Sequence, residues 1–449
     1  MQAGVVQVVA VPLYLFLCLL LGGSSQSAWP GSLTYLPGLV LIAWAAVTAR
    51  REKLERPARS LVVLAIAALV LILLQLLPLP PGVWGSLPGR DQISEGYRTL
   101  GSGTPWLPLS VAPFRTVESA YALIPPIGTA AGILALRGHS DRAIAAAVIL
   151  GALASVLLAA LQIGSSDAQG FPYLYEVTSI GATGFFANRN HMATLLLAAI
   201  PFSAALFASA HPQVRRRGMA FVLLAATAAS FVLILVGLAL NRSLAALLLA
   251  LPVTGFSLLI LPLGWRFRRL VGPLAAIGFV AAVALLANSS IRAELVATPD
   301  AGSIFSRGHI WPVALRAAAS AFPFGTGLGT FRPVYVLSEN PAEVYPTFVN
   351  HAHNDYIELA LELGLPGLLL LIAFLGWYAV QSVRVWRSPF SSLFAKAASI
   401  ASAAVLTHSI VDYPLRTAAI AALFGACLAL MADAGRMGRS KEARHVRIA

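Results

Sequence analysis

Apolar runs of about 20 residues, the length needed to cross a bilayer core, follow one another along this chain with short polar interruptions. A window of that length finds twelve candidate spans, beginning near Val5, Leu33, Ser60, Val117, Ala143, His191, Met219, Ser243, Val271, Tyr356, Phe394 and Thr417. A soluble protein carries roughly 25% charged residues, whereas this one carries 11% among 58% hydrophobic residues. Such a chain has no soluble surface to present. The expected fold is therefore all-α: a polytopic membrane helix bundle of about 12 transmembrane helices, with residues 1–449 forming a single transmembrane domain.

Charge gives the bundle an orientation. Of the 31 Lys and Arg, 21 fall in six clusters between apolar runs: Arg50–Arg59, Arg137–Arg142, Arg215–Arg217, Arg266–Arg269, Arg384–Lys396 and the tail Arg436–Arg447. These clusters occupy alternate connections, as the positive-inside rule requires. Both termini are thus expected in the cytoplasm, with the other connections facing the periplasm or exterior. The net charge of +13 follows from this distribution and does not indicate a nucleic-acid partner. Asn241-Arg242-Ser243 interrupts the apolar stretch Met219–Leu263, and the basic clusters on both flanks require an outward hairpin there. The small residues of Gly22–Ala28 would suit a signal-peptide cleavage site, but no Lys or Arg precedes the first apolar run, which reads as a span. Cys18 and Cys427 both lie in apolar runs and suggest neither a disulfide framework nor a metal site.

Three outer connections are long: Pro80–Glu118, Gly164–Asn190 and Asn288–Asn354. Loops of this length are usually functional or disordered. The last, an extracytoplasmic loop over 289–354, is rich in aromatic residues and Gly/Pro turns and is expected to be ordered, with short helices. Ser306 is expected to cap a helix running to about Ala321, whose Trp311 and Leu315 would face the outer interface. The glycines of Pro323-Phe324-Gly325-Thr326-Gly327-Leu328-Gly329 fail the dinucleotide fingerprint, because no strand precedes them and no acid follows at the required distance. A tight turn is expected. There is no internal repeat, and no Walker sequence for ATP hydrolysis.

His351-Ala352-His353-Asn354-Asp355-Tyr356-Ile357-Glu358 ends that loop and runs into an apolar span. Ionisable groups there are costly and usually functional. Asp355, Glu358 and Glu362 share one helical face, which should point into the bundle for pairing with an arginine or for substrate contact. The His-x-His pair with Asp355 could bind zinc, but no third spaced His or Cys is evident. Asn188 and Asn190 either cap the following helix or bond to sugar hydroxyls.

Taken together, these residues resemble the O-antigen ligase and polymerase superfamily. His353-Asn354, nine residues and then Gly364-Leu365 reproduce that family's His-[Asn/Ser/Gln]-x9-Gly spacing. Arg307 with Trp311 ahead of the glycine stretch, Asn241-Arg242-Ser243 at the end of a span, and Gly184-Phe185-Phe186-Ala187-Asn188-Arg189-Asn190 opening another support it. The combined pattern covers residues 184–367. Asn241-Arg242-Ser243 departs from it by lacking the serine that often precedes this arginine.

The resemblance implies a metal-independent, cofactor-free membrane glycosyltransferase of the bacterial inner membrane. Its donor would be an undecaprenyl-diphosphate-linked glycan. A ligase uses lipid A core as acceptor, and a polymerase uses a second lipid-linked repeat unit; the His-Asn-x9-Gly spacing leans to the ligase. On this reading Arg242, Arg307 and Arg189 grip the diphosphate, which suits a permanently charged bidentate donor. His353 is the catalytic base, while His351, Asn354, Asp355, Glu358, Asn188 and Asn190 are substrate or structural residues. The competing class is a polysaccharide flippase or secondary transporter, which would favour internal repeats and polar sites at the midplane.

Overall fold

The computed structural model of the chain describes residues 2–25, 29–49, 54–136, 140–165, 174–175, 182–214, 218–287, 302–343 and 349–434. Each expected span is a helix. The first four are α1 (Gln2–Leu21), α2 (Trp29–Ser32) leading into α3 (Tyr35–Ala49), and α4 (Arg56–Gln75). A small extramembrane unit follows, in which β1 (Pro78–Leu79) pairs antiparallel with β2 (Leu107–Pro108) around α5 (Pro81–Gly85) and α6 (Asp91–Thr99). The helices α7 (Pro113–Tyr121) and α8 (Ile124–Ala135) make one span, followed by α9 (Asp141–Gly164), α10 (Arg189–Val214), α11 (Gly218–Asn241), α12 (Leu244–Leu258) and α13 (Trp265–Ala287). Then come α14 (Gly302–Ser320), α15 (Phe331–Ser338), α16 (Asp355–Arg387), α17 (Leu393–His408) and α18 (Ala418–Ala432). Among the described residues, eight helices are long and apolar enough to cross a membrane, and Val5–Leu21, Leu244–Leu258, Leu393–His408 and Ala418–Ala432 are shorter apolar helices. The protein is a polytopic helical membrane protein.

Local chemistry starts these helices where the sequence breaks polarity. Ser140, Ser243, Ser392 and Thr417 each cap a helix by accepting a backbone N–H from α9, α12, α17 and α18 respectively. The core gathers on α10 and α18. The stretch from Met192 to Ile200 on α10 is buried throughout, and α18 buries nearly every side chain. α1 packs Val11, Leu15 and Leu19 into the same core, so the first apolar run is a helix of the bundle. α11 and α12 are joined by two residues, Arg242, which turns the chain with φ 56°, and the cap Ser243.

Described residues of the long 289–354 loop contribute to a second, smaller core. Ile310, Val313, Ala314 and Ala317 of α14 pack with Phe331, Tyr335, Ala352 and Leu361. Two details differ from the sequence expectation. α14 opens at Gly302, so Ser306 lies inside the helix and not at its cap. Trp311 does not join the half-exposed Leu315 on an outer stripe: its indole Nε1 donates to Ala352 O at 2.8 Å, which pulls it inward.

The glycine stretch is a turn, and its partner is a break in α16. At Gly364 the backbone takes φ 56° and ψ −147°, dividing the helix. The break frees carbonyls that a continuous helix would use internally. Leu361 O accepts from Thr326 N (3.0 Å), Glu362 O accepts from Gly327 N (2.9 Å), and Leu365 N donates to Pro323 O (2.8 Å). Contact is so close that a Cβ on Gly364 would stand 2.2 Å from Pro323 O. Gln75 locks the joint, donating to Glu362 O at 2.9 Å and accepting from Leu328 N at 3.0 Å. Buried Arg90 adds hydrogen bonds to Leu109 O and Gly325 O. Residues 365–387 alone extend about 35 Å at 1.5 Å per residue, enough for the hydrocarbon core. The segment before the break is therefore free to form a site at the membrane boundary.

Gly364→Ala should lower the thermal unfolding midpoint of the detergent-purified protein, since the left-handed backbone alone costs a side chain about 1–2 kcal/mol and the clash adds to it. Gly278→Ala, in α13 with no atom near the new methyl, should leave the midpoint unchanged or slightly raised. Equal midpoints for the two variants would refute the docking role of Gly364.

Candidate functional site

Asn354 begins the site by capping α16. Its side-chain oxygen accepts from Tyr356 N and Ile357 N, both at 3.0 Å, and its amide donates to Ile410 O at 2.8 Å. Asn354 is thus a structural residue that ties the start of α16 to the connection between α17 and α18. From this cap, Asp355, Glu358 and Glu362 project on one face, as their spacing requires. The arginine that meets them is Arg416, from the 3-10 turn Pro414–Arg416. Its Nη2 lies 2.8 Å from Glu362 Oε2 and 3.2 Å from Glu358 Oε2, and its Nε lies 3.6 Å from Asp355 Oδ1.

Burying such a cluster is tolerable only if its remaining lone pairs are satisfied. Glu358, fully buried, accepts from Ala352 N at 2.7 Å and contacts His351 Nδ1 at 3.1 Å. Glu362 accepts from Phe331 N at 3.2 Å. Burial opposes the charge on Arg416, but the carboxylates of Glu362, Glu358 and Asp355 outweigh it and push the guanidinium above its usual pKa. His351 therefore serves Glu358, whereas His353 has a different partner.

That partner is Asp412, a fully buried carboxylate in the same connection. His353 Nδ1 and His191 Nε2 each stand 3.4 Å from Asp412 Oδ1. Asn190 Nδ2 donates to Oδ2 at 2.5 Å, Asn188 Nδ2 donates to Oδ1 at 3.5 Å, and Tyr413 N donates to Oδ1 at 2.9 Å. Burial acts to raise the Asp412 pKa, but the neighbouring His191 and His353 outweigh it and hold the carboxyl well below the ordinary range. Asp412 is thus an anion throughout the physiological range. The Tyr413 ring packs against His351, His191 and His353, with centroids 4.1, 4.8 and 4.9 Å away. His353 itself is held at φ 51°, a conformation costly for a residue with a side chain and typical of positions where surrounding structure imposes the geometry.

Asn188 also accepts from Asn190 N at 2.8 Å, so the pair both shapes the start of α10 and presents its amides to Asp412. Arg189 lies between them, half-buried. Asn241 Nδ2 donates to Arg189 O (2.9 Å) and Ala182 O (2.8 Å), joining the turn that carries exposed Arg242 to the start of α10. Arg307 belongs to α14, but its side chain lies outside the described residues. The structure thus gathers His351, His353, Asn354, Asp355, Glu358, Asn188 and Asn190 around the connection 409–417, with Arg189 and Arg242 joined to the same helix start.

Asp412, Arg416 and His191 were not among the sequence candidates. A signal existed for two of them. Asp412 and Arg416 are an acid and a base inside a nine-residue connection between apolar runs, where ionisable groups are suspect by default. Reading Thr417 only as the start of a span hid them.

Compared with known protein families, residues 229–372 match the O-antigen ligase family model. No curated protein matches the chain. The matched segment runs from α11 through the Arg242 turn, α14 and the glycine stretch to the part of α16 just beyond Gly364. Asn188, Arg189, Asn190, Asp412 and Arg416 lie outside it in sequence and reach it through the contacts above. His353, Asn354 and Gly364 all lie inside the matched segment, and the match supports the O-antigen ligase superfamily for this part of the chain.

Proposed function

We propose that this protein transfers a glycan from an undecaprenyl-diphosphate carrier to an acceptor hydroxyl of lipid A core, on the periplasmic face of a bacterial inner membrane, with both termini cytoplasmic. The observation that carries the reading is the His353–Asp412 arrangement beside the family segment. With Nδ1 turned to that carboxylate, His353 would take the acceptor proton at Nε2. The deprotonated oxygen attacks the anomeric carbon, the bond from that carbon to the diphosphate oxygen breaks, and undecaprenyl diphosphate leaves with the electron pair. Asp412 then stabilises the imidazolium electrostatically. It touches the base and not the substrate, so its role is positioning. Arg189 and Arg242, with Arg307, would meet the diphosphate. Inversion at the sugar follows from a single displacement.

The placement of polar groups argues against a carrier. Asp412, Arg416, His353 and Arg189 sit in connections or at helix starts, whereas secondary transporters bind near the midplane through broken helices. The polymerase reading shares every residue of this site and differs in the acceptor.

Purified protein supplied with lipid-linked glycan should form product only when lipid A core is added. Long lipid-linked chains made without core would establish the polymerase instead, and no transfer to either acceptor would refute the enzyme assignment. In the same assay His353→Ala should lose about 10²- to 10⁴-fold in rate, the usual worth of a general base, while retaining the wild-type melting profile.

Asp412→Asn should lower kcat by about tenfold or more, equivalent to ~1.4 kcal/mol, with the donor KM near wild type. A rise in KM alone would remove the positioning role. Arg416→Met leaves three buried carboxylates without their cation, which should cost about 3–5 kcal/mol and appear as loss of folded protein. Wild-type stability in that variant would contradict the assigned cluster.

A further inference from the structure

A cavity of about 540 Å³ opens beside His351, within the range of about 300–1,000 Å³ usual for small-molecule sites. Its walls come from the start of α3, α7, the end of the glycine stretch, the start of α15 and the segment of α16 before the break, with Arg416 also lining it. None of the roles assigned above uses this space. The glycine stretch sits directly on α7: Gly329 has φ 79°, and a Cβ there would stand 2.2 Å from Ser119 Oγ. The same Cβ would stand 2.8 Å from Arg115 O, so the glycine backbone lies against that of α7 at the rim.

The lining limits what can enter. It contains three arginines (Arg115, Arg332, Arg416) and three carboxylates (Glu118, Asp355, Glu362), so the charges balance. Arg115 Nη1 donates to Glu118 Oε2 at 3.0 Å, and Arg416 is engaged by its acids. A bare phosphate would meet as many anions as cations, and an acyl chain would match the apolar part of the wall, such as Leu328, Phe331 and Leu415, but would leave the charged groups without polar partners. A polyhydroxylated ring suits such a wall. Each hydroxyl both donates and accepts, so it can bridge a guanidinium and a carboxylate, and the C–H face of the ring can rest on Tyr35, Leu359 or Leu363, which line the same space.

Its position relative to the base completes the argument. His351 lines the cavity, and the Tyr413 ring packs on both His351 and His353. One ring therefore links the cavity wall to the base. Arg189 and Arg242 belong instead to the start of α10 and the α11–α12 turn, and neither lines the cavity. We propose that this cavity is the saccharide subsite of the acceptor, holding its terminal sugars while the donor diphosphate lies with Arg189 and Arg242. The assignment rests on the glycan-transfer reading and names the site of its second substrate.

Ser119→Trp, which fills the cavity, and Arg332→Gln, a milder change at an exposed position, test it in the transfer assay. Both should raise the acceptor KM at least about tenfold while leaving the donor KM within about twofold. An unchanged acceptor KM in both variants, or a rise confined to the donor KM, overturns the proposal. A second measurement does not need turnover: binding of delipidated core oligosaccharide and delipidated repeat-unit oligosaccharide, taken from the envelope of the native host, to the detergent-purified chain. Wild type and His353→Ala should bind one of them and Ser119→Trp should not. Binding without transfer in the wild type would refute glycan transfer yet support the saccharide cavity. Transfer with unimpaired oligosaccharide binding by Ser119→Trp would refute the cavity alone.

Discussion

Arg416 is the residue on which the site is assembled. Three carboxylates on one face of a buried helix could not remain there without a cation, and the cation comes from a connection 54 residues away from Glu362. Because desolvation makes each member costly when unpaired, the cluster fixes the register between the start of α16 and the α17–α18 connection. That register places Asn354 against Ile410 and His353 against Asp412. The broken helix contributes from the other side, since Gly364 exposes the carbonyls on which the glycine stretch is hung.

Much of the fold was legible because hydrocarbon imposes a simple rule. A span must be apolar for about 20 residues, and each of the twelve starts read from the sequence falls at or within a few residues of a helix or span in the structure. The His353 to Gly364 spacing was also legible, and the structure supplies its cause: Asn354 starts the helix, Gly364 breaks it, and the intervening turns carry the three acids. Ser306 was misread because local cap chemistry does not decide a helix start when the preceding residues can continue the helix. Trp311 was misread because helical spacing shows which residues share a face but not what lies against it.

Asp412 and Arg416 show where periodicity stops helping. Nothing in the spacing of Asp412 announces His353 or Asn190, which lie far away in sequence and in other parts of the fold. Such partnerships arise from packing, and a single chain records them only as ionisable residues where water is scarce. The asparagines at 188 and 190 illustrate the same point. Capping and side-chain donation looked like alternatives in the sequence, yet the structure uses both.

One carboxylate shared by two imidazoles sets a limit on the traffic of charge. Asp412 can neutralise one imidazolium, and a second beside it would be left uncompensated in a buried setting. On the proposed chemistry, the proton taken from one acceptor must be handed on, to water or to the departing diphosphate, before another acceptor can be activated. Discharge of that proton would then be a required step of every turnover, whatever the supply of lipid-linked donor.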